Sequence, residues 1–380
     1  MFTVVPLWPS FRIINSVQVS NHLKYFAICI GYVSSHRPIR KDSLVIIGII
    51  SVLVIASPSI SKYGYFDISN VVIGQADLDQ TNSNSTNSLN LEDIPLKKVH
   101  VGDIDVAYKM FGKGEPILLI ASLGGSMDDW QPSILKELSS NHTVIVFDTR
   151  GVGNTTTGTR QNSIQQFAND TVGLLDALKI QKADVLGFSM GGMIAQQLAV
   201  THPEKINRLL LVGTSCGGKE SIPQSPEILK ALEKLLSSVA NNTPLEPQEI
   251  KMAIASTYGP TWIKLHPNFL DSIQIANPRG FVPPHMTPNT WIQHNNAVVN
   301  WKSPNWSGVC NQLTKLSQPT LVLTGTEDMG IPANSIIIAG KIPGAWLVQI
   351  PAAGHVVMDQ YPADVAEILN TFLSTTSSNK

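Results

Sequence analysis

The sequence predicts an α/β domain built on a mostly parallel central sheet, with flanking helices and a helical segment inserted between two late strands. Three observations lead to this prediction. Short strands alternate with helices from about residue 97, most of the strands are continuous apolar runs, and the alternation stops over residues 217–305 before it resumes. Strands buried on both faces are apolar throughout, and alternation with helices implies right-handed crossovers in a parallel sheet.

The alternation begins with VHVGDIDVAYKMFG, which predicts a hairpin with Gly102 and Asp103 in the turn. The later predicted strands are PILLIAS (116–122), HTVIVFD (142–148), ADVLGF (183–188), RLLLVGT (208–214), TLVLTG (320–325) and AWLVQI (345–350). Apolar residues at helical spacing predict helices over 163–178, 190–205, near 334–340 and over 363–373.

Composition excludes two classes of protein. Of the 380 residues, 43% are hydrophobic and 14% are charged, and the formal net charge is −1. Wholesale disorder requires low hydrophobicity and a high net charge, and nucleic-acid binding requires a basic surface. The three cysteines, Cys29, Cys216 and Cys310, are too few for a disulfide framework and lack the spacing of a zinc site. We therefore interpret Cys216 and Cys310 as buried thiols.

The most apolar stretch, LVIIGIISVLVIA at 44–56, follows a basic cluster and precedes small polar residues. It is short for a membrane span, which needs about 20 residues, and suits the core of a signal peptide. We expect an exported protein, either secreted or tethered to a membrane through this segment. Tethering would require that the segment is retained as an anchor. Two alternatives to export stay open: a buried core segment, and a cytoplasmic protein whose start lies downstream of residue 1.

The chain divides into four predicted regions. Residues 1–56 form the leader, and 57–96 form a polar linker. The folded domain occupies 97–375, and 376–380 form a polar tail.

Two segments match the pattern G-x-S-x-G, around Ser189 and around Ser215. A nucleophilic serine of this type needs a strand before it and a helix immediately after it, joined by a sharp turn. Ser189 has both, in ADVLGF and MGGMIAQQLA, whereas two glycines and soon two prolines follow Ser215. We predict that Ser189 is the nucleophile and that Ser215 is a loop residue.

A serine hydroxyl needs a base and a third group that orients the base. The strand TLVLTG is followed by Thr326-Glu327-Asp328, and the strand AWLVQI is followed by a loop that contains Gly354 and His355. Parallel strands bring these ends to the edge of the sheet that carries Ser189. The order predicts His355 as the base and Asp328 as the acid, with Glu327 as its competitor.

Four motifs together resemble the α/β-hydrolase superfamily over residues 97–373. They are DTRGVGNT (148–155), GFSMGGMIAQQLA (187–199), LVLTGTEDMGIP (321–332) and PAAGHVVMDQYP (351–362). Within that superfamily, the chain resembles the small serine esterases and lactonases, including enzymes like 3-oxoadipate enol-lactonase. This resemblance implies hydrolysis of a small ester or lactone without cofactor or metal, and a helical lid, here 217–305, between the sixth and seventh strands of the domain. Epoxide hydrolases and haloalkane dehalogenases of this fold are disfavoured, since they need Asp at the position of Ser189, in the sharp strand-to-helix turn called the nucleophile elbow.

The resemblance also implies an oxyanion hole formed by the backbone N–H groups of Leu123 and Met190. Many members carry His-Gly before the first donor, where this chain has Ala121-Ser122. In the lid, Trp262 and Trp291 are expected either to contact the substrate, with Phe269 and Met286, or to form the lid's own core. Two other functions stay open: a cofactor-free perhydrolase or haloperoxidase-like activity, and ligand binding without turnover.

Overall fold

The computed structural model describes residues 3–6, 89–241, 243–273, 283 and 285–375. The apolar segment 44–56, most of the linker and the tail 376–380 lie outside these residues. A nine-stranded sheet forms the centre of the described part. Its strands are β1 (Thr3–Pro6), β2 (Lys97–Val101), β3 (Ile104–Gly112), β4 (Glu115–Ile120), β5 (His142–Phe147), β6 (Ala183–Phe188), β7 (Ile206–Val212), β8 (Thr320–Gly325) and β9 (Trp346–Ile350).

The sheet is mostly parallel, as the sequence predicts. Its spatial order is β1-β9-β8-β7-β6-β4-β5-β3-β2, and every pair from β9 to β5 in this order is parallel. The predicted hairpin pairs β2 with β3 around Gly102, and β3 pairs antiparallel with β5. At the opposite edge, β1 pairs antiparallel with β9, a pairing that the sequence patterns did not indicate.

Two hydrophobic cores, one on each face of the sheet, explain why the central strands are apolar throughout. Along β4, Leu118 belongs to one core, whereas Ile117 and Leu119 belong to the other. Successive side chains of a strand point to opposite faces, so each face receives every second residue.

Eleven α-helices surround the sheet in the described residues. They are α1 (Pro132–Ser139), α2 (Ile164–Ala177), α3 (Met190–Thr201), α4 (Pro226–Asn241), α5 (Pro247–Tyr258), α6 (Pro260–Leu265), α7 (Phe269–Ser272), α8 (Pro288–Lys302), α9 (Ile331–Lys341), α10 (Val357–Gln360) and α11 (Pro362–Ser374). Helices α2, α3 and α9 contribute to the first core, and α1 and α11 contribute to the second. The sequence patterns did not single out α1, although Ile134, Leu135 and Leu138 of this helix are fully buried.

The segment between β7 and β8 contains helices α4 to α8 and no strand among its described residues. This insertion separates the sixth and seventh strands of the folded domain, counted from β2. No helix of the described residues is long and apolar enough to cross a membrane.

A disulfide bond between Cys216 and Cys310 closes the neck of the insertion, so our interpretation of these residues as buried thiols was wrong. The two cysteines are 94 residues apart in the chain, and both are fully buried. The Val309 N–H also donates a hydrogen bond to the Cys216 carbonyl, at 3.1 Å. The bond therefore joins the start and the end of the insertion.

A buried arginine connects the end of β5 to three other parts of the fold. The Arg150 guanidinium donates to Asp170 of α2, at 2.7 and 2.8 Å, and to Asp103 of the hairpin turn, at 2.8 Å. The hydrogen bonds that Asp103 accepts, first from Arg150 and then from the backbone N–H groups of Thr159 and Arg160, hold its pKa well below its usual range. The Arg150 carbonyl accepts a hydrogen bond from Nε2 of His294 in α8, at 2.9 Å.

We predict that removing the disulfide destabilises the protein. Cross-linking a loop of about 100 residues restricts the unfolded chain by roughly 4–5 kcal/mol in the chain-entropy model. Replacing both Cys216 and Cys310 with Ala should lower the free energy of unfolding by about 2–5 kcal/mol in urea titrations. As a control, dithiothreitol should lower the stability of the wild type to that of the double variant and leave the variant unchanged. Alkylation of all three cysteines in unreduced, denatured protein would contradict the pairing.

We also predict that His294 makes stability depend on pH. Burial lowers the pKa of His294 from 6.5 to about 4, so between these values the unfolded chain binds a proton that the folded chain does not. The contribution of neutral His294 to the free energy of unfolding is therefore fully present above about pH 6.5 and is lost as the pH falls towards 4. When the pH is lowered from about 7 to about 5, the free energy of unfolding of the wild type should fall by about 2 kcal/mol more than that of the variant His294→Gln. The glutamine keeps a hydrogen-bond donor for the Arg150 carbonyl.

The variant is needed as a reference because other buried groups change the pH dependence of stability in the opposite direction. Burial raises the pKa of Asp148 and of Asp184, and protonation of these carboxyl groups favours the folded state. Urea unfolding of both proteins at the two pH values measures the effect. Equal losses in the two proteins would refute the role of His294.

Candidate active site

The turn between β6 and α3 gives Ser189 a backbone conformation that few residues adopt. Its φ is +55° and its ψ is −112°, and it is one of three non-glycine residues with positive φ in the described part. The Ser189 N–H donates to the Val212 carbonyl, at 2.9 Å, and the Thr214 hydroxyl donates to the Ser189 carbonyl, at 2.9 Å. A Cβ on Gly191 would lie 2.0 Å from the Ile120 carbonyl oxygen, so only glycine lets α3 begin this close to β4. This is the strand, turn and helix that the sequence predicts at Ser189.

The structure brings the three predicted catalytic side chains together. Nε2 of His355 lies 2.9 Å from Oγ of Ser189, and Nδ1 of His355 lies 3.0 Å from both carboxyl oxygens of Asp328. Because a carboxylate only accepts hydrogen bonds, Nδ1 carries the proton and Nε2 accepts the serine proton. Asp328 is 2% exposed, so its charge is directed at the imidazole and not at solvent.

The two competing residues have other contacts. Ser215 is buried, and its carbonyl accepts hydrogen bonds from Gln196 and from the Trp301 indole N–H, at 3.1 and 3.2 Å. The Glu327 carboxylate accepts the backbone N–H of Thr261, at 2.8 Å, and also binds the Thr261 hydroxyl. Among the described residues, neither side chain forms a hydrogen bond with His355, whose ring nitrogens pair with Ser189 and Asp328.

The predicted oxyanion donors lie where α3 meets the end of β4. Gly191 contacts the carbonyl oxygens of Ile120 and Ala121, which immediately precede the loop that carries Leu123. Met190 is the first residue of α3. Within the described ranges, neither the Leu123 N–H nor the Met190 N–H donates to another acceptor. Both groups are therefore available to an oxyanion.

Two insertion residues contact the loop that carries Leu123, the predicted oxyanion loop (residues 122–125). Nε2 of His285 lies 2.6 Å from the Gly124 carbonyl oxygen. The Trp291 ring packs against Gly124 so closely that a Cβ there would lie 2.7 Å from it. Trp291 is 5% exposed. Sequence reasoning named Trp291 but missed His285, which has no pattern around it that would distinguish it from other loop histidines.

Asp148 supports the same loop from β5. Its carboxylate accepts the N–H of Met127, just after the loop, and the N–H of Asn154, both at 2.9 Å. Burial raises the pKa of Asp148, and these two hydrogen bonds act in the opposite direction. The motif DTRGVGNT thus braces the loop through its first residue.

Trp262 lies in an aromatic cluster within the insertion. Its ring stacks on His266 with ring centres 3.8 Å apart, and it also contacts Tyr258 and Phe269. These contacts favour a packing role over direct contact with a substrate. Within the described ranges, no group of three His, Cys, Asp or Glu side chains is arranged to hold a metal ion.

Comparison with known proteins agrees with the geometry. Residues 115–362 match the family model for the alpha/beta hydrolase fold. The chain is 26% identical over 294 residues to a putative carbamate hydrolase, RutD, of Azorhizobium caulinodans. The alignment covers 72% of this chain and 96% of the relative.

Two solved structures extend the comparison. Est816, described as an N-acyl homoserine lactone degrading enzyme, is 27% identical, with a TM-score of 0.58 over 73% of this chain and 100% of that one. The enol-lactonase from Burkholderia xenovorans has the same fold, with 24% identity and a TM-score of 0.59 over 73% of this chain and 100% of that one. Its likeness confirms the fold, and the family match covers more than half of this chain. With this sheet and this elbow, the chain belongs to the α/β-hydrolase family and is a hydrolase of that fold.

Proposed function

We propose that the protein hydrolyses a small carboxylic ester or lactone through an acyl-enzyme, with Ser189 as the nucleophile. The observation that carries this proposal is the continuous hydrogen-bond chain from Ser189 through His355 to Asp328. This arrangement supplies a nucleophile, a base and an orienting acid in the roles that acyl transfer requires.

In the first half of the reaction, Oγ of Ser189 attacks the carbonyl carbon of the substrate while Nε2 of His355 takes its proton. Asp328 stabilises the imidazolium that forms. The negative charge on the carbonyl oxygen is stabilised by the N–H groups of Leu123 and Met190, and each such donor is worth about 3–4 kcal/mol. The tetrahedral intermediate then collapses, and the leaving alcohol takes the proton from His355.

In the second half, water replaces the alcohol. His355 takes a proton from the water, which attacks the acyl carbon bound to Ser189, and the same two N–H groups stabilise the second oxyanion. Collapse releases the carboxylic acid and returns the proton to Ser189. For a lactone, the alcohol that ring opening forms remains part of the acyl group, and hydrolysis of the acyl-enzyme releases a single hydroxy acid.

The relatives support a carbonyl substrate of this kind. Est816 is described as degrading an acyl homoserine lactone, and the RutD relative as a putative carbamate hydrolase. All of these substrates present an acyl carbon to a nucleophile. Within this chemistry, we propose esters and lactones, in keeping with the resemblance of the sequence.

We further propose that the protein is exported. A disulfide bond persists mainly in oxidising compartments, and Cys216 and Cys310 form one. This pairing supports the expectation drawn from the apolar segment 44–56, which lies outside the described residues.

We predict that Ser189→Ala reduces hydrolysis of p-nitrophenyl acetate by several orders of magnitude, because no other group replaces the nucleophile. Ser215→Ala is the matched control and should stay within a few-fold of the wild type. Steady-state rates and labelling by a fluorophosphonate probe measure both effects.

Three outcomes would contradict the proposal. Labelling that persists in Ser189→Ala and vanishes in Ser215→Ala would show that Ser215, and not Ser189, is the nucleophile. A wild type that binds esters without turnover would be a ligand-binding protein. Formation of peracid from acetate and hydrogen peroxide, much faster than hydrolysis of any ester or lactone, would favour the perhydrolase alternative.

We propose that the insertion acts as a lid, and that Trp291 supports the oxyanion loop. Because its ring packs on Gly124, Trp291→Ala should lower kcat by a similar factor, on the order of 10-fold, for acetate and for long-chain esters. Trp262→Ala should mainly lower the free energy of unfolding, by about 0.5–3 kcal/mol, since its ring packs within the insertion but is only partly buried. Rates for a series of acyl-chain lengths, with melting curves, distinguish the two.

The same measurements test direct substrate contact by either tryptophan. A steep loss for long acyl chains only, with little change for acetate and in melting temperature, would show that the replaced ring lines the acyl pocket. Trp291→Phe should recover part of the lost rate if packing on the loop is the role of that ring.

A further inference from the structure

The junction between α5 and α6 lies against the loop that carries His355. The Thr257 carbonyl, at the end of α5, accepts the backbone N–H of His355 at 2.6 Å and that of Val356 at 3.3 Å. A Cβ on Gly354 would lie 2.3 Å from the Thr257 carbonyl oxygen, so glycine is required for this approach. The backbone of the proposed base is therefore held directly by the insertion.

The loop that carries Asp328 contacts the same junction through Glu327. One Glu327 oxygen accepts the N–H of Thr261 at 2.8 Å, and the other binds the Thr261 hydroxyl. The Glu327 N–H donates to the Ala353 carbonyl at 2.8 Å, which joins the acid loop to the base loop. Glu327 thus contacts both the insertion and the loop that leads into His355.

Gln360 completes the contact from α10. Its side-chain amide donates to the Tyr258 carbonyl at 2.7 Å and accepts the Gly354 N–H at 2.8 Å. Gln360 is 8% exposed, so water competes little with these hydrogen bonds. Hydrogen bonds therefore join three segments that are distant in the chain: the α5–α6 junction, the turn after β8 and the loop from β9 to α10. The last two of these segments carry Asp328 and His355.

We infer that Glu327 is a positioning residue: by holding Thr261, it fixes the α5–α6 junction and, through the Thr257 carbonyl, the place of His355 between Ser189 and Asp328. This inference rests on the proposed function for what His355 does, and on the observed contacts for how His355 is held. The insertion then contributes to the alignment of the base as well as to any selection of substrate.

Glu327→Ala should lower kcat for p-nitrophenyl acetate by on the order of 10- to 100-fold with KM changed less than about two-fold, because a displaced base slows proton transfer and not binding. Glu327→Gln should recover most of the rate, since its amide can accept the Thr261 N–H and donate to the Thr261 hydroxyl. Thr261→Val, which keeps only the backbone donor, should cost a few-fold.

The matched control is Glu220→Ala. Glu220 also joins the insertion segment to the α/β domain, through an ion pair with Lys341 at 2.7 Å, and it makes no contact with the loops of Asp328 and His355. This variant should keep kcat within about two-fold of the wild type. Melting curves of all variants report any general loss of folding.

Proton NMR gives a readout that does not depend on turnover. The proton between Nδ1 of His355 and Asp328 should give a downfield resonance in the wild type that disappears in His355→Ala. It should persist in Glu327→Gln and Glu220→Ala, and shift or broaden in Glu327→Ala. An unchanged resonance and kcat in Glu327→Ala would overturn the inference, as would equal losses in Glu327→Ala and Glu220→Ala.

Failure of the proposed function is seen separately, in the wild type. A wild type that neither hydrolyses the ester nor reacts with a fluorophosphonate at Ser189 would refute serine hydrolysis, and the resonance alone would then decide the positioning role. If Glu327→Ala does not fold, the comparison of Thr261→Val with Glu220→Ala decides it: equal resonances and equal rates overturn the inference.

Discussion

The backbone of Ser189 is the constraint on which the rest of the site depends. A non-glycine residue at φ +55° and ψ −112° costs roughly 1–3 kcal/mol, and it persists only where the surroundings fix it. Here Val212, the last residue of β7, accepts the Ser189 N–H, and the hydroxyl of Thr214, just beyond β7, donates to the Ser189 carbonyl. Gly191 lets α3 approach β4. The parallel sheet places β4 and β7 on either side of β6, so the backbone conformation of Ser189, the proposed nucleophile, is a consequence of the sheet order.

His355, the proposed base, has no comparable support from the sheet. His355 lies in a loop between β9 and the four-residue helix α10, where few hydrogen bonds are fixed by regular structure. The insertion supplies the missing ones through Thr257, and a disulfide closes the neck of that insertion. The segment between β7 and β8 is therefore joined to the candidate site at two separate places: beside His355, and at the predicted oxyanion loop through His285 and Trp291.

How much the sequence can predict follows from how each residue is placed. Ser189, Asp328 and His355 each follow a strand, and the carboxyl ends of parallel strands share one edge, so a correct list of strands was enough to bring them together. The pairing of Cys216 with Cys310 depends instead on the path of 94 intervening residues, which no periodic pattern specifies. The same applies to the insertion residues that contact the site loops, and α1 and β1 were missed because each is short.

The neighbouring carboxyl groups of Glu327 and Asp328 show why residue type alone does not decide a role. Both follow β8, both can orient an imidazole, and the order of residues along the chain predicted Asp328 as the acid with Glu327 as its competitor. The structure separates them by direction: Asp328 is buried beneath His355, and Glu327 extends to Thr261 of the insertion. Because the two are adjacent and the Glu327 N–H is bonded to the Ala353 carbonyl, a shift of the insertion that pulls on Glu327 also acts on the acid and on the base loop. The short turn after β8 therefore carries both Asp328, which pairs with His355, and Glu327, which binds the insertion. The geometry of the proposed triad and the position of the insertion consequently depend on each other.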